Sequence, residues 1–190
     1  DMLETATSYY SHLAEPKPSD PDAREELLRR LRAKQLSPQD REKLDKRVTS
    51  REVEESIKKM AKGKSAGPDG IPAEYFHCML DQVKEDLTAY YNEMFDERTL
   101  TTGMLCGEII LLYKKKDPRD VRNYRPITLL NTEYKILTKI FACRLKRVIE
   151  SVISPCQTGF VPGRHITWNT HLLNLIDAYL DETDEEGLFV

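Results

Sequence analysis

A change of hydrophobic period at residue 107 constrains the fold of this chain more than any other feature. Before it, apolar residues recur every three to four positions, as they do in amphipathic helices. The run Gly107–Tyr113 is instead short and apolar, which predicts a buried strand. A basic turn, Lys114–Pro118, follows it, and residues 122–130 form a second extended segment. We therefore predict an α+β, helix-rich fold with a basic β-hairpin packed on long helices.

The helices on either side of this hairpin are marked by their ends. Residues 1–14 predict a short first helix, and the prolines within 15–22 interrupt it. Thr49 and Glu52 have the spacing of a capping box, which predicts a helix that ends near Gly63. We expect the longest helix over about 132–153 and a last helix over about 167–181.

Charge is unevenly distributed along the chain. Residues 101–165 hold 12 Lys and Arg against 5 Asp and Glu, a net +7 in a chain of net charge −3. A basic segment of this kind predicts a phosphate-binding surface, although a solvated helix face would have the same composition. No apolar run approaches the length of about 18 residues that a membrane helix needs, so no membrane partner is expected.

Cysteine and histidine spacing gives no metal motif. The four cysteines, at 78, 106, 143 and 156, form no CxxC pair, and His165 and His171 stand six apart. We expect reduced and mostly buried thiols, and no metal site.

Three sequence blocks carry a resemblance to a known family. They are SAGPDGI from residue 65, the segment from residue 109 through NYRPI into the following helix, and SPCQTGFVPGRHI from residue 154. Over about residues 50–190 they resemble the N-terminal half of a reverse transcriptase from a non-LTR (LINE-type) retrotransposon. The resemblance implies the fingers of a right-hand polymerase and the start of its palm over 49–190, after an N-terminal helical connector over 1–48.

The hairpin holds the positions that match the family's nucleotide-binding pair. The resemblance assigns Lys114 and Arg125 to the phosphates of an incoming dNTP, with Lys116 as a further candidate because Lys114–Lys116 are consecutive. Positioned cations are what phosphoryl transfer requires, and arginine and lysine supply complementary donors. A solvated lysine turn and a structural salt bridge of Arg125 remain alternatives.

Two further segments are assigned to the template by the same resemblance. Their glycines allow a nucleic-acid backbone to approach closely. A core position for Phe160 and a purely structural role for the turn at 67–70 remain alternatives. The candidate template-binding residues are Gly67, Asp69, Gly70, Gln157, Gly159, Phe160 and Arg164.

The resemblance places no catalytic or metal-binding residue in this chain. Two-metal polymerase chemistry needs carboxylates, and in the family these follow an apolar strand that here begins only at Leu188–Val190. The acids at 181, 182 and 184–186 precede that strand and are expected in a solvated loop. Both ends of the chain have the character of cuts, so we expect a fragment that is inactive alone, with Mg²⁺ as a cofactor of the full-length enzyme.

The function implied is therefore that of a fragment of an RNA-directed DNA polymerase. Its partners would be an RNA template, a DNA primer and dNTPs, in the cytoplasm and nucleus. The alternative is a non-catalytic nucleic-acid-binding remnant of such an element. A third interpretation is a degenerate reading frame whose product never folds stably, because an unpaired strand edge invites aggregation.

Overall fold

The computed structural model describes residues 2–30 and 35–183. These residues form two compact units, the first within 1–32 and 47–140 and the second within 33–46 and 141–190. Each unit combines residues from before and after position 48. The strand expected at Leu188–Val190 and the acids at 184–186 lie outside the described residues.

Helices dominate the chain, as predicted. In order they are α1 (Met2–Ala14), α2 (Pro21–Arg30), α3 (Pro38–Asp45), α4 (Ser50–Lys58), α5 (Ala73–Cys78), α6 (Leu80–Glu97), α7 (Thr102–Leu105), α8 (Thr132–Lys146), α9 (Ile149–Val152) and α10 (Thr167–Thr183). A short 3-10 helix over Val121–Asn123 precedes the second strand.

The start of α4 confirms the capping box. The Thr49 hydroxyl accepts a hydrogen bond from the Glu52 backbone N–H, and the Glu52 carboxylate accepts one from the Thr49 backbone N–H. Two amides that the first helical turn leaves without partners are thereby satisfied. The helix ends earlier than predicted, at Lys58, and Gly63 adopts the left-handed conformation (φ 68°) in the segment that follows.

The core of the first unit lies where α4 packs against α5 and α6. Val53, Ile57 and Tyr91 are fully buried, and the Tyr91 hydroxyl donates to the Glu133 carbonyl at 2.8 Å. Burial raises the pKa of Tyr91. The other buried apolar residues of this unit are Ala6, Val48, Ala73, Phe76, Met94, Met104, Ile136, Leu137 and Ile140.

Two antiparallel strands, β1 (Gly107–Tyr113) and β2 (Tyr124–Leu130), form a small sheet. The prediction of a buried β1 is wrong, because Ile109 and Leu112 remain about half exposed. A run that is apolar on both faces is typical of a strand covered on both sides. Among residues 2–30 and 35–183, the two-stranded sheet has no such cover.

The single helix expected over 132–153 is interrupted. The amides of Arg147 and Val148 donate to carbonyls three residues back, a tighter turn that ends α8, and α9 begins at Ile149. Val148 itself is buried. The apolar spacing therefore continues across the break, which explains why the sequence pattern suggests one helix.

The second unit is held partly by a buried arginine. The Arg144 guanidinium donates to the carbonyl of Leu44 at 3.0 Å and also to that of Lys46, so it ties α8 to the end of α3. Val148 and Val161 are buried in this unit. The described part of α10 has no buried residue.

The cysteines differ from expectation in their exposure. Cys78, Cys106 and Cys156 are exposed and Cys143 is half-buried, all with free thiols. The prediction that they are mostly buried is therefore wrong. No helix among the described residues combines the length and the apolar character that crossing a bilayer requires.

Candidate nucleic-acid and nucleotide interface

The register of the hairpin places Lys114 and Arg125 on one face. Leu112 lies opposite Arg125, and the Lys114 amide donates to the Asn123 carbonyl at 2.9 Å, which extends the ladder by one pair. Opposed residues share a face and side chains alternate along a strand, so Lys114 and Arg125 are diagonal neighbours on the same side. Two cations arranged in this way can reach one anionic group.

The side chains of this pair are open to solvent. Lys114 and Arg125 are exposed, and the described residues provide neither of them with an ion pair or a side-chain hydrogen bond. Lys116 is also exposed, but it adopts the left-handed conformation (φ 75°), and its carbonyl accepts a hydrogen bond from the Tyr113 hydroxyl. Lys116 therefore shapes the turn whether or not its ammonium group contacts a phosphate.

A different arginine of the hairpin is committed to a carboxylate. The Arg122 guanidinium contacts Asp120 at 2.8 Å, and Asp120 Oδ1 also accepts from the Arg122 backbone N–H at 3.0 Å. Hydrogen bonds from Arg122 lower the pKa of Asp120. The turn is thus braced by this pair and by a longer one between Arg119 and Asp117 at 3.7 Å, while Arg125 takes part in neither.

The first helix supports the hairpin through Tyr10, which sequence reasoning missed. Its hydroxyl donates to the Tyr124 carbonyl at 3.2 Å, and the Tyr113 and Tyr124 rings pack edge to face with centroids 5.5 Å apart. Tyr113 and Tyr124 form a non-hydrogen-bonded pair of the ladder, so the Tyr124 carbonyl points away from β1. It lies at the free edge of β2, where Tyr10 can reach it. No signal in the sequence connects a tyrosine at position 10 with a strand more than a hundred residues later.

The turn at residues 67–70 packs closely against the start of α8. The Gly70 amide donates to the Gly67 carbonyl at 3.0 Å, which closes the turn, and Asp69 Oδ1 accepts from the Ile71 amide. A Cβ on Gly67 would lie 2.4 Å from the backbone nitrogen of Asn131. Glycine is required at position 67 because the turn packs closely against Asn131. At position 70 it is favoured because the backbone is left-handed (φ 71°).

Asn131 organises this contact and was also missed. Its Oδ1 accepts from the Asp69 amide at 3.2 Å, and its Nδ2 donates to the Gly103 carbonyl at 3.1 Å. The side chain is buried, so these bonds replace water. A polar residue between the last strand position and Thr132, where a helix begins, is the sequence signal that could have identified it.

Two carboxylates lie near each other beside this turn. Burial raises the pKa of Glu133, and the neighbouring Asp69 charge raises it further. The pair does not amount to a metal site. Throughout residues 2–30 and 35–183, no three His, Cys, Asp or Glu side chains are arranged to hold a metal ion. The described residues therefore do not fit the two-metal centre of a polymerase.

Loop 157–164 uses its arginine internally. The Arg164 guanidinium donates to the carbonyls of Ser154 and Gln157, the latter at 2.8 Å. Gln157 Nε2 in turn donates to the Gly159 carbonyl at 3.2 Å. Three of the candidate template residues thus stabilise the shape of their own loop.

Phe160 of the same loop points into solvent. Its relative exposure is 107%, so the alternative of a core position for Phe160 is wrong. The structure brings Lys114, Lys116 and Arg125 together in the hairpin, and Gly67, Asp69 and Gly70 together in the turn. The second unit contains Gln157, Gly159, Phe160 and Arg164, whereas the other two groups belong to the first unit.

Known proteins are similar to this chain. Residues 113–187 match the family described as reverse transcriptase (RNA-dependent DNA polymerase). The chain is 36% identical over 172 residues to the Transposon TX1 uncharacterized 149 kDa protein of Xenopus laevis, a match that covers 90% of this chain. It is 29% identical over 116 residues, 60% of its length, to the Retrovirus-related Pol polyprotein from type-1 retrotransposable element R1 of Bradysia coprophila.

A third relative agrees with these two. The RNA-directed DNA polymerase from mobile element jockey of Drosophila melanogaster is also 29% identical over 116 residues. The chain spans 13%, 12% and 13% of the lengths of the three relatives, respectively. The family match and these relatives confirm the resemblance in the motifs: over this region the chain is reverse transcriptase sequence of the non-LTR retrotransposon type.

Proposed function

We propose that the chain is the connector and fingers part of an RNA-directed DNA polymerase of a non-LTR retrotransposon. In this proposal it contributes contacts to the template and to the dNTP phosphates, while the metal-binding aspartates are not among its 190 residues. The boundary between connector and fingers is proposed at residues 48/49. The polymerase would act on an RNA template with a DNA primer, in the cytoplasm and nucleus.

The observation that carries the proposal is the pair Lys114 and Arg125. Both lie on one hairpin face, both are exposed, and neither has an ion pair among the described residues. A triphosphate carries several negative charges, and a planar guanidinium beside a mobile ammonium group can bind two of its phosphates. Charged donors without internal partners are available for that purpose at no cost to the fold. Lys116 lies next to the pair and is proposed as a supplementary contact.

Template contact is proposed for the turn and for loop 157–164. Gly70 is exposed, and a Cβ at this position would meet no atom within 4 Å. The sugar-phosphate backbone of a template strand can therefore approach it closely. Gly67 and Asp69 would hold this surface in shape. Gln157 and Gly159 are exposed in the loop, next to Phe160, and Arg164 fixes their backbone.

Reverse transcriptases generally use divalent metal ions. We propose Mg²⁺ for the polymerase, where it would neutralise charge on the triphosphate. The described residues supply no ligand set for it, so no step of the reaction is assigned to this chain through the metal.

The test is to change Lys114 and Arg125 to Ala in a polymerase that contains this segment. We expect the KM for dNTP to rise about tenfold or more, since a hydrogen bond to a charged group is worth about 1.5–3 kcal/mol and about 1.4 kcal/mol is tenfold. Lys17→Ala with Arg24→Ala is the matched control, because both residues are exposed and carry the same charges. An unchanged KM would remove the pair from the nucleotide site.

A non-catalytic nucleic-acid-binding remnant is the second candidate function. The observation that favours it is that the described residues hold basic and aromatic surface but no metal-binding cluster. Binding of RNA by the isolated chain with no effect of the Lys114 and Arg125 changes on nucleotide use would support it. Nucleotide dependence on the same two residues would support the polymerase.

A further inference from the structure

Phe160 combines two properties that residues in loops ordinarily avoid. Its side chain is fully exposed to water, and its backbone lies in the left-handed region with φ 61°. A bulky residue at positive φ is strained, and an exposed aromatic ring forgoes the burial that would offset the strain. Such a conformation persists only where the surrounding structure enforces it.

The neighbours of Phe160 in the chain enforce it. Thr158 and Val161, on either side, are only 5% and 6% exposed, so the loop is anchored before and after the aromatic ring. The Arg164 amide closes a turn onto the Val161 carbonyl at 3.3 Å. The backbone that carries the Phe160 ring is therefore held in place by its neighbours.

The arginine of the loop completes this arrangement. Its guanidinium is bonded to the carbonyls of Ser154 and Gln157, and Gly163 reverses the chain beside it at φ 72°. A guanidinium that satisfies two backbone carbonyls has fewer donors left for a phosphate. The aromatic face of Phe160 is fully exposed and open to a nucleic acid, beside the exposed Gln157 and Gly159.

We propose that Phe160 is a stacking platform for an unpaired nucleobase, and that Arg164 is a positioning residue that holds the platform in place. The inference rests on the proposed function, because an RNA template supplies unpaired bases. Every base has a π-face, so stacking on one aromatic ring tolerates any sequence, as copying of an arbitrary template requires. Trp168 adds aromatic surface eight residues further along the chain. It is about half exposed, and its ring packs edge to face with that of His165, with centroids 6.4 Å apart.

The test measures binding of the 190-residue chain to a short dye-labelled single-stranded RNA by fluorescence anisotropy. A ribose-phosphate oligomer of the same length without bases provides the phosphates alone. Phe160→Ala is compared with Phe160→Tyr, which keeps a ring, and with Tyr179→Ala, which removes another exposed aromatic side chain of the same unit. Quenching of Trp168, the one tryptophan of the chain, gives an independent signal of binding.

For Phe160→Ala we expect roughly 5- to 150-fold weaker binding of the RNA, the range that removal of a base-stacking aromatic ring produces. Binding of the baseless oligomer should not change, Phe160→Tyr should restore RNA binding, and Tyr179→Ala should have no effect. Arg164→Ala should weaken RNA binding without lowering its salt dependence, because the arginine positions the ring and does not contact phosphate.

Other outcomes overturn the proposal in distinguishable ways. If the chain binds RNA and Phe160→Ala binds it equally well, stacking is wrong and the proposed nucleic-acid function stands. Equal weakening for the RNA and the baseless oligomer would also exclude stacking. If the folded wild-type chain binds no RNA, both the platform and the proposed template contact by this segment are wrong.

Discussion

The hairpin segment 114–125 and loop 157–164 differ in sequence but both carry basic residues, and they use those charges in opposite ways. Both are short, both contain arginine, and both are assigned to phosphate-bearing ligands by the family resemblance. In the hairpin, the Lys114 and Arg125 side chains extend into solvent without an ion pair among the described residues. In the loop, Arg164 turns inward onto two carbonyls. A basic residue in a motif is therefore not by itself a phosphate ligand.

The backbone explains the difference. Strands β1 and β2 satisfy each other's amides and carbonyls across the ladder. In the turn between them, the carbonyls of Asp117, Lys116 and Pro118 accept hydrogen bonds from amide and hydroxyl side chains, so Arg125 is not needed for that purpose. Loop 157–164 follows α9 and has no such partner strand among the described residues, so the Ser154 and Gln157 carbonyls need another donor. Because backbone polar groups require partners, a nearby arginine is recruited to them.

The turn at 67–70 extends the comparison and gives the largest expected effect. Gly67→Ala would place a Cβ 2.4 Å from the Asn131 backbone nitrogen, a clash that no side-chain rotation relieves. We expect it to lower the free energy of unfolding by about 3 kcal/mol or more. The measurement is urea unfolding followed by circular dichroism.

Gly70→Ala is the matched control, since a Cβ there meets nothing within 4 Å. It should cost only the left-handed backbone penalty, about 1–2 kcal/mol. Equal destabilisation by the two variants would mean that Gly67 does not pack against Asn131 in solution. The turn at 67–70 would then be open to solvent, like the Lys114 and Arg125 side chains, and not fixed by internal contacts as loop 157–164 is.

The second prediction compares the two arginines directly. Arg164→Ala should lower the free energy of unfolding by about 1–2 kcal/mol, because two carbonyls are left without a charged donor and partly exposed groups recover some solvation. Arg125→Ala should change it by less than about 0.5 kcal/mol, as expected for an exposed residue without an ion pair among the described residues. The same urea titration measures both. A larger destabilisation by Arg125→Ala would show that this residue has a structural partner in solution.

Sequence patterns predicted the features that depend on residues close together in the chain. The capping box of Thr49 and Glu52, the bounds of β1 and the start of α10 depend on residues within a few positions of each other. Such interactions can be identified from spacing alone. The assignment of Lys114 and Arg125 to one hairpin also follows from strand length and turn position.

Other features depend on contacts between distant residues, and the sequence did not reveal them. Tyr10 and Asn131 act on partners 114 and 62 positions away, respectively. The exposure of β1 depends on what covers the sheet, and the break after α8 is hidden by an apolar pattern that continues through Val148. The inward direction of Arg164 follows from carbonyls that need a donor, which no composition or period records.

A third prediction separates the two regions by salt. Replacing Lys114, Lys115 and Lys116 with Gln should reduce the slope of log affinity against log salt by up to about 2 for a single-stranded RNA, at about 0.7 for each phosphate that is no longer neutralised. Arg164→Gln should leave that slope unchanged, since its charge faces carbonyls. Lys17, Lys43 and Lys46, all exposed, provide a control triple with the same charge change. An equal drop for this control would indicate a general charge effect and no phosphate contact in the hairpin.

The smallest difference between the two regions is expected from acid, which should weaken the hairpin turn more than loop 157–164. Hydrogen bonds from Arg122 hold the pKa of Asp120 below its ordinary value of 3.8. The ion pair therefore stabilises the turn fully when the pH is above 3.8. The contribution disappears as pH falls through the lowered pKa, when Asp120 becomes protonated and releases Arg122. Residues 154–166 contain no carboxylate side chain. Glu150 of α9 lies beside Gly163, but it has no ion pair among the described residues, so we expect a smaller effect of acid on loop 157–164. NMR titration of the Asp120 carboxyl and the Arg122 amide would measure it, with Asp120→Asn as the variant that is already uncoupled. A titration of Asp120 at or above its ordinary pKa would show that its pairing with Arg122 does not form in solution, and the turn would then be held by its backbone and by other side chains such as Tyr113.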